Sequence, residues 1–157
     1  MTKGVDRTIV IAAPPERVWK AWVEEMNAWW TKPYYNDHDR VTGLSMESGL
    51  GGRYIEKWGE NGEGFLIGNV TEWLPPHRLA YTWTQADWQG VNTLVRIVFE
   101  SDGDGGTRMT YIHEGFDRLP ADLQTLPSGI ALSEGYDRGW GELSTRLKNY
   151  IEKGKAS

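Results

Sequence analysis

The sequence contains no cysteine, and this absence excludes a disulfide scaffold, a thiolate metal site and a cysteine nucleophile. It also lacks a long apolar run, because the stretch at residues 9–13 is too short for a signal peptide or a spanning helix. We therefore predict a cytoplasmic protein without a membrane span. Its 22 acidic and 17 basic residues give a net charge of −5, which argues against a nucleic-acid partner because phosphate contacts need a basic surface.

The common cofactor, metal and hydrolase motifs are missing too. The glycines at 49–52 lie between predicted strands and do not open a helix, and no Gly-x-Ser-x-Gly turn is present. Residues 36–39 (NDHD) are of types that bind metals, but neighbouring loop positions do not form a tetrahedral site without ligands from elsewhere in the chain. Residues 102–106 (DGDGG) begin like a calcium-binding loop but lack the glutamate at its twelfth position. We expect no metal and no cofactor, and the sequence has no recognisable catalytic motif.

Tryptophan, in contrast, is abundant. Nine Trp and seven Tyr accompany three Phe in 157 residues, within an ordinary composition of 39% hydrophobic and 25% charged residues. The length fits one domain, which we predict to cover residues 1–157. Such a set of rings with polar tips predicts an aromatic interior.

The pattern of short strands and two helical regions predicts an α+β fold. Strands are predicted at 7–12, 41–48, 53–58, 65–74, 78–85, 92–101 and 107–114, separated by Gly, Pro and Asn turns. Their short connections predict an antiparallel meander. Pro14 and Pro15 open a helix that ends near Asn27, and a second short helix is predicted at 28–30. A long helix is predicted from Pro127 onward, with Gly154 as its C-cap.

Three glycines interrupt the predicted long helix. Gly135, Gly139 and Gly141 each cost about 1 kcal/mol of helix stability relative to alanine. Three such costs in one helix indicate a close backbone approach, a kink, or space left between the helix and the sheet.

Six segments carry a family resemblance in order along nearly the whole chain. They are residues 9–22 (IVIAAPPERVWKAW), 51–54 (GGRY), 68–79 (GNVTEWLPPHRL), 81–83 (YTW), 106–116 (GTRMTYIHEGF) and 139–140 (GW). They resemble the activator-of-Hsp90-ATPase homologue family of the START/Bet v1-like superfamily. This resemblance implies the helix-grip fold, a curved seven-stranded antiparallel sheet around a long C-terminal helix, with two short helices after the first strand. It also implies a cavity between sheet and helix, but no catalytic residue.

Nine residues are predicted to line that cavity as a ligand-binding set: Tyr54, Glu56, Trp58, Tyr81, Trp83, Tyr111, His113, Tyr136 and Trp140. Aromatic walls with a few polar tips are typical of a site for a small, largely hydrophobic ligand. The alternative is that the rings fill a solid core. Trp19 and Trp22 are assigned to plain packing, whereas Trp88 is expected to be exposed.

A second aromatic cluster is predicted at the cavity mouth: Trp29, Trp30, Tyr34 and Tyr35. It either forms a gate or an exposed patch for a partner, or it plugs the open end of the sheet. A chaperone-linked interaction module would use Trp29, Trp30 and the acidic surface. A second copy of the chain, in a homodimer, is a further candidate partner.

Two titratable residues leave the function open. His113 is either a proton donor or hydrogen-bond anchor for a ligand, or a buried histidine paired with a backbone group. Glu56 needs a partner such as Arg53 or His113 if it points inward, and otherwise lies at the rim. A cyclase- or hydrolase-like enzyme would use His113 with Glu56 or Tyr111.

Overall fold

In the computed structural model, which describes residues 4–157, seven strands form one antiparallel sheet. The strands are β1 (Val5–Ile11), β2 (Val41–Met46), β3 (Arg53–Trp58), β4 (Gly64–Leu74), β5 (Arg78–Trp83), β6 (Thr93–Ser101) and β7 (Thr107–Glu114). Their order is β1-β7-β6-β5-β4-β3-β2. Strands β2 to β7 form the predicted meander, and β1 completes the sheet by pairing with β7.

Two α-helices accompany the sheet, α1 (Pro15–Val23) and α2 (Leu132–Lys153). Single 3-10 turns cover Met26–Ala28, Phe116–Arg118 and Ala121–Leu123. Helix α2 lies against the curved sheet, where Trp140 stacks on Tyr111 with ring centroids 4.0 Å apart. Gly154 adopts a left-handed conformation and ends α2 as predicted. The predicted helix-grip fold is therefore confirmed. No helix within residues 4–157 is long and apolar enough to span a membrane.

The helix boundaries differ from the sequence prediction. Helix α1 ends at Val23, and the next turn is the 3-10 helix at Met26–Ala28 rather than a helix at 28–30. The Asn27 side chain explains the break, since its amide accepts a hydrogen bond from the Leu44 backbone N–H (2.7 Å) and donates one to the Leu44 carbonyl (3.0 Å). This contact ties the turn to the free edge of β2.

Helix α2 begins at Leu132, not at Pro127. Thr125 and Ala131 form an antiparallel bridge, and Gly129 adopts a φ of 93° in the turn between them. A positive φ in this range suits glycine and interrupts a right-handed helix. The residues after Pro127 therefore form a tight turn before α2.

Alternation along β6 and β7 buries one face of the sheet, as predicted. The buried side chains are Thr93, Val95, Ile97, Phe99, Thr107, Met109, Tyr111 and His113. Strand register places Tyr81, Val95 and His113 side by side across β5, β6 and β7. Trp19 of α1 packs edge-on against Phe99, with ring centroids 5.5 Å apart. The sheet face, α1 and α2 thus enclose a core rich in aromatic rings.

Candidate functional site

A cavity of about 240 Å³ lies between α2, the inner face of the sheet and the chain that follows the first 3-10 turn. Half of the lining residues are aromatic, and most of the others are aliphatic or glycine. They are Trp30, Pro33, Tyr34, Tyr35, Trp83, Gln85, Tyr111, Leu126, Leu132, Gly135, Tyr136, Gly139, Trp140 and Leu143. Because a dry apolar cavity of about 150 Å³ binds benzene, this space has room for roughly one or two rings.

The outer wall of the cavity is the capping loop, which we define as residues 31–37. Its Tyr34 hydroxyl donates to a Glu142 carboxylate oxygen of α2 at 2.6 Å, and the Tyr34 carbonyl accepts from the Trp30 indole N–H at 2.7 Å. Burial and the neighbouring Glu142 raise the pKa of Tyr34 to about 12, so its phenol stays a neutral donor at ordinary pH. The capping loop is therefore attached to α2 by one side-chain hydrogen bond.

The glycines of α2 make room for this wall. A Cβ atom at Gly139 would lie 2.8 Å from Cε1 of Tyr34, and one at Gly135 would lie 2.7 Å from Cδ1 of Leu126. Both distances are shorter than a normal van der Waals contact. Both glycines also line the cavity. Of the three alternatives that the glycines left open, the structure shows a close approach to the helix backbone, made by the side chains of Tyr34 and Leu126.

Glu56 holds the other end of the capping loop. Its carboxylate is 1% exposed and accepts hydrogen bonds from the backbone N–H groups of Asn36 (2.6 Å) and Asp37 (2.9 Å). The Trp58 indole N–H donates to the same carboxylate at 2.7 Å. Of the two alternatives for Glu56, the structure shows the inward one, but neither Arg53 nor His113 is its partner, since Arg53 pairs with Glu47. Glu56 therefore clamps the loop onto β3.

His113 lies behind the cavity wall rather than in it. The rings of Trp83 and Tyr136, which do line the cavity, meet the imidazole edge-on at centroid distances of 5.7 and 5.1 Å. Its Nε2 lies 2.6 Å from the Thr93 hydroxyl, which itself donates to the Trp83 carbonyl at 3.2 Å. Either atom of the Thr93–His113 pair can be the donor, so this contact satisfies Nε2 in both neutral tautomers of the imidazole.

The state of His113 follows from its burial. The imidazole is fully buried, and burial lowers its pKa to about 3, so it is neutral at ordinary pH. Its Nδ1 has no hydrogen-bond partner among the described residues. The residue is paired with a side chain rather than with the backbone group proposed from sequence. No hydrogen bond within residues 4–157 joins His113 to Glu56 or to Tyr111.

The structure separates the nine predicted ligand-binding residues into two groups. Trp83, Tyr111, Tyr136 and Trp140 line the cavity. The others lie outside its lining: Tyr54, Glu56, Trp58, Tyr81 and His113. Of these, Tyr54 and Tyr81 are buried and stack on each other behind the wall, with ring centroids 5.2 Å apart.

Three tryptophans occupy positions that the sequence did not predict. Trp58 is half-buried and stacks on Phe65 near the Arg40 guanidinium, so it is not cavity wall. Trp29 is fully buried, with its indole N–H bonded to the Ala21 carbonyl at 2.9 Å, and does not line the cavity mouth. Trp88 was expected to be exposed, but its side chain is buried, with 1% of its surface exposed, because it packs edge-on against Phe116.

Sequence reasoning missed several residues of the wall. Leu126 comes from the turn before α2, Leu132 and Leu143 come from α2, and Gln85 follows β5. Leu143 belongs to the apolar face of the helix, and the glycines at 135 and 139 mark the same face. For Leu126 and Gln85 the sequence carries no signal, because both lie in irregular segments.

The comparisons with known proteins agree with this architecture. The family model described as "Activator of Hsp90 ATPase homolog 1-like protein" matches residues 12–152. The chain belongs to this family. No curated protein matches the sequence of this family member significantly.

Solved structures resemble the chain over most of its length. One is the anthrahydroquino-γ-pyrone synthase Txn09, in complex with a compound designated SUM. It is 27% identical, with 84% of this chain and 94% of that chain covered and a TM-score of 0.55. An HSP90 activator from Plasmodium falciparum is 17% identical, with 98% of this chain and 97% of that chain covered and a TM-score of 0.64. A protein from Chromobacterium violaceum is 21% identical, with 97% of this chain and 99% of that chain covered and a TM-score of 0.65. The last two likenesses concern the fold alone.

Proposed function

We propose that this family member binds a small, largely apolar aromatic compound of one or two rings in the cavity beneath the capping loop. The observation that carries the proposal is the cavity of about 240 Å³ with seven aromatic lining residues. Aromatic rings in offset or edge-to-face contact add about 0.5–1.5 kcal/mol per pair beyond the burial of apolar area. A wall of this kind favours a flat aromatic ligand over a flexible aliphatic chain.

The relationship to Txn09 supports the same class of ligand. The name of that synthase refers to a fused aromatic compound, and it was solved with a bound compound. The cavity of the present chain is small by comparison with typical ligand sites of about 300–1,000 Å³. We therefore assign it a ligand with fewer rings than the anthracene-type skeleton in that name.

A size series tests the proposal directly. Naphthalene should raise the melting temperature of the protein, because a ligand at about 100 times its Kd stabilises the folded state by about 2.7 kcal/mol. Pyrene, with four fused rings, should give no shift because the cavity cannot hold it. Absence of a shift with naphthalene, or equal shifts with both compounds, would contradict the proposal.

A cavity-filling variant provides the matched control. Leu126 is half-buried at the cavity, whereas Leu123 is half-buried in the same connection and does not line it. Leu126→Trp should abolish naphthalene binding because the indole occupies the space of the ligand. Leu123→Trp should bind naphthalene as the native protein does. Equal binding by the two variants would place the ligand elsewhere.

Catalysis in the same cavity is a second candidate, favoured by the 27% identity to a synthase. The arrangement proposed from sequence, His113 with Glu56 or Tyr111, lacks the direct hydrogen bonds that it needs. An enzyme of this type would instead use the neutral Tyr111 phenol to polarise a substrate carbonyl. Product analysis of aromatic ketones incubated with the protein and with Tyr111→Phe tests this candidate. Turnover that is unaffected by Tyr111→Phe would refute it.

Binding to an Hsp90-type chaperone is a third candidate, which rests on the family and on the likeness to the Plasmodium activator. The two tryptophans assigned to such a surface, Trp29 and Trp30, are 0% and 8% exposed and so do not form an exposed patch. A direct binding measurement with purified Hsp90 tests this candidate. Cytoplasmic location, a homodimer and a single domain over residues 1–157 stay predictions.

A further inference from the structure

We propose that the ring of Tyr34, which packs against the backbone of Gly139, sets the upper size limit for the ligand. The inference rests on the proposed ligand site and identifies the residue pair that selects one or two fused rings over larger ring systems. It follows from the packing of the lining rings, from the glycine beneath Tyr34, and from the contacts that hold the capping loop.

The seven aromatic side chains of the cavity wall differ in what lies behind them. Five of them pack against other aromatic rings: Trp30, Trp83, Tyr111, Tyr136 and Trp140. Within residues 4–157 the remaining two, Tyr34 and Tyr35, contact no other aromatic ring, and both belong to the capping loop. The capping loop therefore supplies the part of the aromatic wall that the ring cluster of the core does not hold.

Beneath the Tyr34 ring lies helix backbone without a side chain. The three atoms nearest to a Cβ placed on Gly139 are Cε1, Cδ1 and Cζ of Tyr34, at 2.8, 3.5 and 3.5 Å. Gly139 is buried, and both residues line the cavity. The phenol ring thus fills the space that a side chain at position 139 would otherwise take. Without the ring this space joins the cavity, because glycine has no side chain to occupy it.

The capping loop is held by contacts that do not involve this ring. The Tyr34 carbonyl accepts from the Trp30 indole N–H at 2.7 Å, and the Glu56 carboxylate accepts from two backbone N–H groups of the loop. The phenol hydroxyl donates to Glu142, whose side chain is exposed, so water can replace that bond. Removing the ring therefore leaves the loop attached and no buried charge unpaired.

The second glycine of the cavity has a more yielding cover. A Cβ at Gly135 would lie 2.7 Å from Cδ1 of Leu126, but the next atom of that side chain is 4.0 Å away. One methyl group of a flexible side chain can turn aside, whereas the planar ring of Tyr34 has to move as one unit. Tyr34 is therefore the firmer limit of the two.

A third size of ligand tests this inference. Phenanthrene has one fused ring more than naphthalene and one fewer than pyrene. In fluorescence titrations the native protein should bind phenanthrene at least about ten-fold more weakly than naphthalene, because overpacking a filled site is unfavourable. In Tyr34→Ala the affinity for phenanthrene, relative to that for naphthalene, should rise at least about ten-fold.

Three control variants locate the new space. Tyr34→Phe keeps the ring and should keep the native ratio of the two affinities. Tyr34→Ala combined with Gly139→Leu places a side chain where the ring was and should restore that ratio. Tyr34→Ala combined with Gly141→Leu adds the same residue to the same helix outside the cavity lining, where the nearest atom to a Cβ is the Arg7 Nη1 at 3.4 Å. This variant should keep the gain in phenanthrene binding, and melting temperatures report whether each variant folds.

Each result decides the inference. A folded Tyr34→Ala that binds naphthalene without any gain for phenanthrene overturns the inference but leaves the proposed ligand site intact. The same gain in Tyr34→Phe would assign the limit to the bond with Glu142 instead of the ring. Phenanthrene binding that survives Gly139→Leu would place the added space elsewhere and overturn the role of Gly139. If neither compound binds to the native protein or to Tyr34→Ala, the proposed ligand site itself fails.

Discussion

Replacing Glu56 by alanine should destabilise the protein strongly, although the residue touches no ligand. Three short N–H bonds end on its buried carboxylate, from Asn36, Asp37 and Trp58. Each hydrogen bond contributes about 1 kcal/mol net, so we expect a loss of about 3 kcal/mol in the free energy of unfolding. For a chain of this size that corresponds to a fall in melting temperature of about 6–12 °C.

Urea denaturation followed by tryptophan fluorescence measures this loss. The matched control is Glu63→Ala, because Glu63 is an exposed carboxylate that pairs with Arg40 at the surface. Exposed ion pairs of this kind contribute about 0–1 kcal/mol, so the control should lose less than the Glu56 variant. Glu56→Gln should not restore stability, because its amide nitrogen would face an N–H donor. If Glu56→Ala lowers the free energy of unfolding by less than about 1 kcal/mol, the conclusion that Glu56 holds the capping loop on β3 would be refuted.

Three further predictions concern pH, the capping loop and the sheet edge. The pKa of His113 is lowered to about 3 in the folded protein, so His113 should cost the native chain about 1.4 kcal/mol of its free energy of unfolding per pH unit below pH ~6.5. His113→Phe should flatten this dependence of stability on pH, measured by urea titration at several pH values. Tyr34→Phe removes the bond to Glu142 and should speed naphthalene dissociation in stopped-flow experiments, with a stability change below about 1 kcal/mol. Asn27→Ala should cost about 1–2 kcal/mol, measured by urea denaturation, because it frees both backbone groups of Leu44.

The sign of the pH effect follows from linkage. A histidine whose folded pKa is lowered is neutral in the folded state but takes up a proton when the chain unfolds in acid. Its stabilising contribution is therefore present above the unfolded pKa of about 6.5 and decreases as the pH falls toward 3. A slope that His113→Phe leaves unchanged would assign the acid sensitivity to other groups.

Strands and the long helix were predictable because their signal is local. Alternation in β6 and β7 shows in a single strand which side chains face inward, and the structure buries Val95, Ile97 and Met109 accordingly. The glycines of α2 left three alternatives open, one of which was a close approach. They could not tell that Tyr34 is the approaching group, because that contact joins segments more than 100 residues apart.

The buried carboxylate shows where local reasoning ends. Alternation along β3 placed Glu56 on the same face as Tyr54, and both are buried. The partners of Glu56 are backbone N–H groups of the capping loop, and a backbone group leaves no mark in the sequence. Trp58 shares that face by alternation, but it pairs with Phe65 instead of the cavity.

Trp88 illustrates the same limit for an irregular segment. Loops usually run over the surface, so the sequence predicted an exposed ring. The indole is buried instead, with Phe116 and Tyr136 at centroid distances of 6.2 and 5.8 Å. Its partners lie in a 3-10 turn and in α2, and their position depends on the tertiary fold. The abundant tryptophans therefore serve the core as well as the cavity.

The most direct test of the central claim is a calorimetric titration of naphthalene into the native protein and into Leu126→Trp. A ligand in the cavity beneath the capping loop predicts one site per chain in the native protein and no heat of binding in the variant. Leu126→Trp must melt cooperatively for the comparison to hold, which a thermal scan establishes. The same heat of binding in both proteins, or none in the native protein, would contradict the account.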